Sequence, residues 1–155
     1  MTNFVRSCDL AGATASLEAV KRTYVDSGVL IAAATGRGRL AVAASRVLAD
    51  TAIREFVCSD YVRLEVIPKA THENRLPEIA YYEEFFASVS LWLVFDAEHL
   101  HMAFLEACRS GLSAMDAIHV VAAASGKCDE MVTMEKPTKP IHRTKLISVL
   151  SIDTE

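Results

Sequence analysis

The chain has 155 residues, 52% hydrophobic and 23% charged, with 6 Gly and 4 Pro, which excludes a disordered or fibrous chain and fits a single domain with a substantial core. Its 16 Lys and Arg against 20 Asp and Glu give a formal charge of −4, which argues against a strongly basic nucleic-acid binder. No apolar run reaches the roughly 18 residues of a spanning helix, and the N-terminus, carrying Asp9 and Glu18, lacks a signal peptide's basic-then-apolar pattern. A soluble, cytoplasmic protein without membrane contact is expected.

Taken in chain order, residues 1–22 are weakly patterned and read as an N-terminal extension, a loose tail or a short helix; the folded domain is expected over 23–155. "TYVD" is a short β-rich run ending in Asp26. "SGVLIAAATG" and "RLAVAASRVLADTAIRE" follow, the second with apolar positions at helical spacing. "EFVCSD" is a second strand-like run, and Asp60 is placed to cap a helix through "YVRLEVIPKATHE" that Pro68 should kink or split. "PEIAYYEEFFASV" opens on Pro77 and sets Ile79, Tyr82, Phe85, Phe86 and Val89 on one helical face. "SLWLVF" is a third run of β-formers, and "DAEHLHMAFLEACRSG" is a helix capped by Asp96 and stopped by Gly111. Then come the helix "SAMDAIHVVAAASG", the strand "EMVTM", a polar loop containing Pro, and a last β-like run "LISVL". Five apolar runs alternating with helices of crossover length predict an α/β fold, a three-layer α/β/α sandwich around a central parallel sheet of about five strands.

In such sheets ligands bind beyond the carboxyl ends of the strands, so the acids near those ends matter most. Asp26 ends the first strand and Glu135 follows the fourth; Glu65 and Asp116 lie on helices that begin near the same edge. Each has an ordinary explanation taken alone. Asp26 can cap the helix after it, Glu65 can be a solvated helix residue, and Glu135 a loop charge. Ser113-x-x-Asp116 before an apolar run fits a capping box. What capping leaves unexplained is the set. The cations are also uneven: Arg37, Arg39 and Arg46 are the only charges from Ser27 to Ala49, and Lys136, Lys139, Arg143 and Lys145 share one acid-free stretch. Each basic segment can equally be a solvated face. Cys8, Cys58, Cys108 and Cys128 form no Cys-x-x-Cys pair and read as small buried thiols. His72, His99, His101 and His119 read as surface or core residues, and His142 as an exposed neighbour of the basic loop.

"YVDSGVLI", "SDYVRLEVIP", "GLSAMDAIHVVAAASG" and "MVTMEK", in that order, resemble the PIN-domain nucleases, and among them the VapC-type toxins of toxin–antitoxin pairs. The resemblance spans about Thr23 to Ile152. Motif by motif it makes Asp26, Glu65, Asp116 and Glu135 the catalytic acids, Glu135 standing where the family usually has Asp. It implies a metal-dependent endoribonuclease in which Mg²⁺ or Mn²⁺ is held by Asp26, Asp116 and Glu135. The family's small hydroxyl residues match Ser27 and Thr133. Together with Arg37, Arg39, Lys136, Lys139 and Arg143 they are the candidates for substrate contact. RNA as substrate, a small antitoxin and a homodimeric state follow from the resemblance alone, and "IAYYEEFF" with Trp92 offers either a partner surface or a core face.

Two readings from other classes compete. A PIN-like module that binds RNA or protein without cleaving it would explain Glu135 as the mark of a degraded site. Alternatively, Gly36-x-Gly38-x-x-Ala41 with Asp60 downstream imitates a dinucleotide-binding fingerprint, which requires that the glycines follow a strand.

Overall fold

The computed structural model describes residues 19–154. Runs rich in Val, Tyr, Phe and Thr form the strands β1 (Lys21–Val25), β2 (Arg54–Ser59), β3 (Leu91–Leu93), β4 (Glu130–Thr133) and β5 (Ser148–Ser151). They make one five-stranded sheet in the order β3-β2-β1-β4-β5. Every pairing is parallel; Thr23 of β1, for example, stands opposite Phe56 on one side and Glu130 on the other. Between the strands lie α1 (Ser27–Thr35), α2 (Arg39–Ala49), α3 (Asp60–His72), α4 (Leu76–Ala87), α5 (Ala97–Ser110), α6 (Ala114–Ser125) and a 3-10 turn at Pro140–Arg143.

Strand order and handedness place the helices. The chain steps outward from β1 to β2 and β3 through α1–α4, then returns past β1 to β4 through α5 and α6. Right-handed crossovers therefore put α1–α4 on one face and α5–α6 on the other, which gives the expected three layers. The contacts agree: α1 packs on α2, α3 and α4, while α5 packs chiefly on α6. Tyr24 and Val25 of β1, Val57 of β2, Val132 of β4 and Val120 to Ala123 of α6 are inaccessible to solvent. The order reverses between β1 and β4, which in an open parallel sheet opens a crevice at the carboxyl edge. Asp26 follows β1 at that crevice and Thr133 ends β4 beside it.

Local details differ from the sequence reading in several places. The helix expected to run through "RLAVAASRVLADTAIRE" ends at Ala49, and Arg54 and Glu55 belong to β2. Arg54 bonds back to Asp50 at 2.8 Å and to Glu130 at 3.0 Å, and so ties the turn to the sheet. Asp60 opens α3 rather than capping it; Ser59 holds the cap position. Pro68 does not split α3, which continues to His72. Gly36 and Gly38 sit between two helices, not after a strand: Gly36 ends α1 and Gly38 precedes α2. A Cβ at Gly36 would lie 2.4 Å from the Ala32 carbonyl oxygen, so this glycine is explained by the turn. That removes the strand on which the dinucleotide fingerprint depends.

Tyr82, Phe85 and Phe86 of α4 are buried, with the Phe86 ring tilted against Trp92 at 5.3 Å between centroids. These three aromatic residues therefore form the core face of the segment, while Tyr81 and Trp92 are half-buried. Among the described cysteines, all free, Cys58 is buried and Cys108 is exposed, so the burial expected of the thiols fails at Cys108. Of the N-terminal extension, Lys21 and Arg22 already belong to β1, and residues 1–18 lie outside the described residues. Among the described residues no helix is long and apolar enough to cross a membrane.

Candidate active site

Asp26 is the first residue beyond β1, and its N–H bonds the Val132 carbonyl at 3.0 Å, which pins it between the two central strands. It occupies the cap position of α1 in extended conformation, yet its side chain caps nothing. Instead its Oδ2 accepts a 2.7 Å hydrogen bond from the Thr133 hydroxyl. The side chain is only 14% exposed. Burial pushes the Asp26 carboxyl above its ordinary value; His119 and the Thr133 hydroxyl pull it down without prevailing, and Glu65 and Asp116 push it further up.

Glu65 reaches the same place from α3. Its Oε2 lies 2.7 Å from Nε2 of His119, a residue of α6 that is 2% exposed. The other ring nitrogen, Nδ1, is 2.9 Å from the Tyr24 hydroxyl, which is 2.8 Å from Oγ of Ser59. Burial works to raise the Glu65 carboxyl, but the hydrogen bond and charge of His119, with the Ser27 hydroxyl, outweigh it and hold Glu65 below the usual range. Two neighbouring carboxylates are thus shifted oppositely, Glu65 downward and Asp26 upward.

Among the described residues, one set of three metal-capable side chains converges, Asp26, Glu65 and His119, with ligand atoms all within 4.8 Å of one another. Asp116 stands at the first turn of α6, partly exposed, and its charge acts on Asp26. Ser113 caps α6 through a 3.2 Å bond from the Asp116 N–H, which is the forward half of the capping box; the Asp116 carboxylate does not return it. Glu135 is outside the converging set. Its N–H bonds Thr133 Oγ1 at 3.1 Å and its carbonyl accepts from His142 Nε2 at 2.9 Å, so His142 pins the loop instead of standing free.

The residues expected to touch substrate divide in two. Ser27 and Thr133 are buried and face the carboxylates. Arg37, Arg39, Lys136, Lys139 and Arg143 are exposed. Arg39 and Lys136 both lie near Asp153, beyond the end of β5, at 3.2 and 3.9 Å, which places two cations at the carboxyl edge.

The donor set suits a hard divalent cation, since carboxylate oxygens are the preferred ligands of Mg²⁺ and Mn²⁺. Asp26 and Glu65 place carboxylate oxygens within 4.8 Å of each other, close enough to share one such cation. His119 is the residue that reading the sequence missed. A signal was present, because Asp116 and His119 are three apart and share a face of α6, but no motif drew attention to it.

A parallel α/β sheet with half-buried carboxylates gathered at its switch point has its ligand-binding crevice lined by acids. The sequence matches the PIN domain family over residues 23–136, and the chain belongs to that family. A search of curated proteins finds no match. Among solved structures, a chain of VapBC2 from Rickettsia felis, bound to a DNA fragment from their promoter, aligns with TM-score 0.62 and 11% identity over 84% of this chain and 98% of that one. PAE2754 from Pyrobaculum aerophilum aligns with TM-score 0.54 and 19% identity over 84% of this chain and 91% of that one. At these identities the likeness is one of fold.

Proposed function

We propose that this chain is a metal-dependent endoribonuclease, the toxin of a toxin–antitoxin pair, that hydrolyses RNA phosphodiester bonds. The observation that carries the reading is the convergence of Asp26 and Glu65, with ligand atoms within 4.8 Å, at the sheet's switch point, with Asp116 on the first turn of the adjoining α6. Asp26, Asp116 and Glu135 are the proposed ligands of Mg²⁺ or Mn²⁺, with Glu65 completing the cluster. A bound cation would supply an activated water and neutralise charge on the scissile phosphate. Thr133 orients Asp26, and the edge cations Arg39 and Lys136, with Arg37, Lys139 and Arg143, position the phosphate backbone.

RNA is favoured through the family resemblance, and an antitoxin partner through the VapBC2 structural neighbour. A homodimer acting in the cytoplasm completes the proposal. The test is cleavage of total RNA by the purified protein with Mn²⁺, beside matched single- and double-stranded DNA. Cleavage should vanish with EDTA and in Asp116→Asn. Activity that survives both controls, or DNA cut in preference to RNA, would overturn it.

A further inference from the structure

The convergence of Asp26, Glu65 and His119 invites the reading that His119 is itself a metal ligand. The hydrogen bonds around its ring argue otherwise. An Nε2 lying 2.7 Å from a carboxylate oxygen requires a proton between the two atoms, because two bare lone pairs at that distance repel. Of the two groups imidazole is ordinarily the stronger base, by about two pKa units, so the proton belongs to the ring. A ring nitrogen that carries a proton is a donor and has no lone pair for a cation. The opposite ring nitrogen is engaged by Tyr24, itself 0% exposed and bonded to the equally buried Ser59. The imidazole is thereby fixed in plane from the interior side.

We propose that His119 is a positioning residue whose Nε2–H holds the Glu65 carboxylate beside Asp26, and that it does not ligate the cation. The proposal rests on the reading above that the carboxylates receive a divalent cation. Its geometry is that of an outer partner that orients a ligating carboxylate, with the interior hydroxyls of Tyr24 and Ser59 orienting the imidazole in turn.

The experiment has a cation-free arm and an Mn²⁺ arm on the full chain. In EDTA, ¹⁵N NMR of histidine-labelled protein should show a proton on Nε2 of His119, with its signal displaced in Glu65→Gln. An unprotonated Nε2 would overturn the proposal by itself. With Mn²⁺, pulsed electron paramagnetic resonance of the wild type should show no directly bound histidine nitrogen. His119→Leu should bind Mn²⁺ about 10–100-fold more weakly, the loss typical of an outer partner. His119→Gln, whose amide N–H reaches the same carboxylate, should recover most of it. A strong nitrogen coupling from His119, or no recovery in the glutamine variant, would overturn the assignment. Failure of wild-type protein to bind Mn²⁺ at all would instead overturn the cation reading, while the NMR arm judges the Nε2–H bond independently.

Discussion

Thr133→Val asks how much one buried hydroxyl does for the carboxylate cluster. Thr133 is 0% exposed, so no water can take the place of the lost hydroxyl, and valine keeps the branched shape. The wild-type Oγ1 donates to Asp26 at 2.7 Å and accepts from the Glu135 N–H at 3.1 Å. A hydrogen bond to a charged group contributes about 1.5–3 kcal/mol, and the added methyl returns about 0.8 kcal/mol. The expected net loss at neutral pH is therefore about 1–2 kcal/mol, or about 2–8 °C in Tm for a chain of this size. The pH dependence separates this cause from simple repacking. Once Asp26 is protonated the bond joins two neutral groups, so the difference between wild type and variant should shrink as pH falls through the folded Asp26 value. Denaturant titrations in EDTA across that range, with Thr133→Ser as the hydroxyl-retaining control, give the measurement. A stability gap independent of pH, or a serine variant as unstable as the valine one, would refute the reasoning.

Asp26→Asn tests the other side of the same balance. The folded Asp26 carboxyl is raised above its ordinary 3.8, so its effect on folding is most favourable below that value and is lost as pH rises through the folded value. The amide should make the metal-free protein about 0.5–2 kcal/mol more stable at neutral pH, with the gain fading in acid; a variant less stable at pH 7 would contradict this. At the opposite edge of the sheet, Glu130 is 7% exposed and is held by Arg54 and the Thr23 hydroxyl, both at 3.0 Å. Lys21, 3.7 Å away, still faces that charge when Arg54 is removed, so Arg54→Met should lower stability by about 1–3 kcal/mol, and adding Glu130→Met should restore much of it; a double variant no better than the single would refute the pairing. Ser113→Ala should weaken α6 by about 1 kcal/mol, whereas Asp116→Asn should hardly change stability because the capped donor is a backbone N–H. Equal losses in the two variants, read from thermal unfolding, would show that the Asp116 side chain is structural.

The sheet was legible because its signal is local. Strands buried on both faces read as short apolar runs, and Asp96, Gly111 and Ser113 mark helix ends through chemistry confined to one turn. What escaped was set by contacts distant in sequence. Asp60 has the composition of a cap, but the backbone turns one residue earlier, at Ser59. Pro68 lacks a backbone donor, yet α3 is held by its packing on α1 and α4 and runs through it. At the site, Asp26, Glu65 and Asp116 could be found as acids near strand ends. The roles of His119 and Thr133 could not, since each depends on a partner 54 or 107 residues away. Arg39 and Lys136 read as members of separate basic runs, and only the fold brings both to Asp153.

The different states of the carboxylates suggest where a cation would matter most. Asp26 and Asp116 each lie at the start of a helix, where the positive end of the dipole favours negative charge within the first turn. Glu65 is beyond the first turn of α3 and relies on His119 and Ser27 instead. The local arrangement is sufficient for Glu65, whose carboxyl stays below its ordinary value, but not for Asp26, where burial, with the acidic neighbours, prevails over an imidazole and a hydroxyl. A divalent ion would relieve that imbalance directly. Removing the Asp26 charge should therefore reduce Mn²⁺ affinity more than removing the Glu65 charge, although Glu65 is the carboxylate with the shorter contact to a basic group. Calorimetric titration of Asp26→Asn beside Glu65→Gln orders the two, and a larger loss in Glu65→Gln would mean that the ion is held chiefly from α3 and that the strain on Asp26 serves some other end.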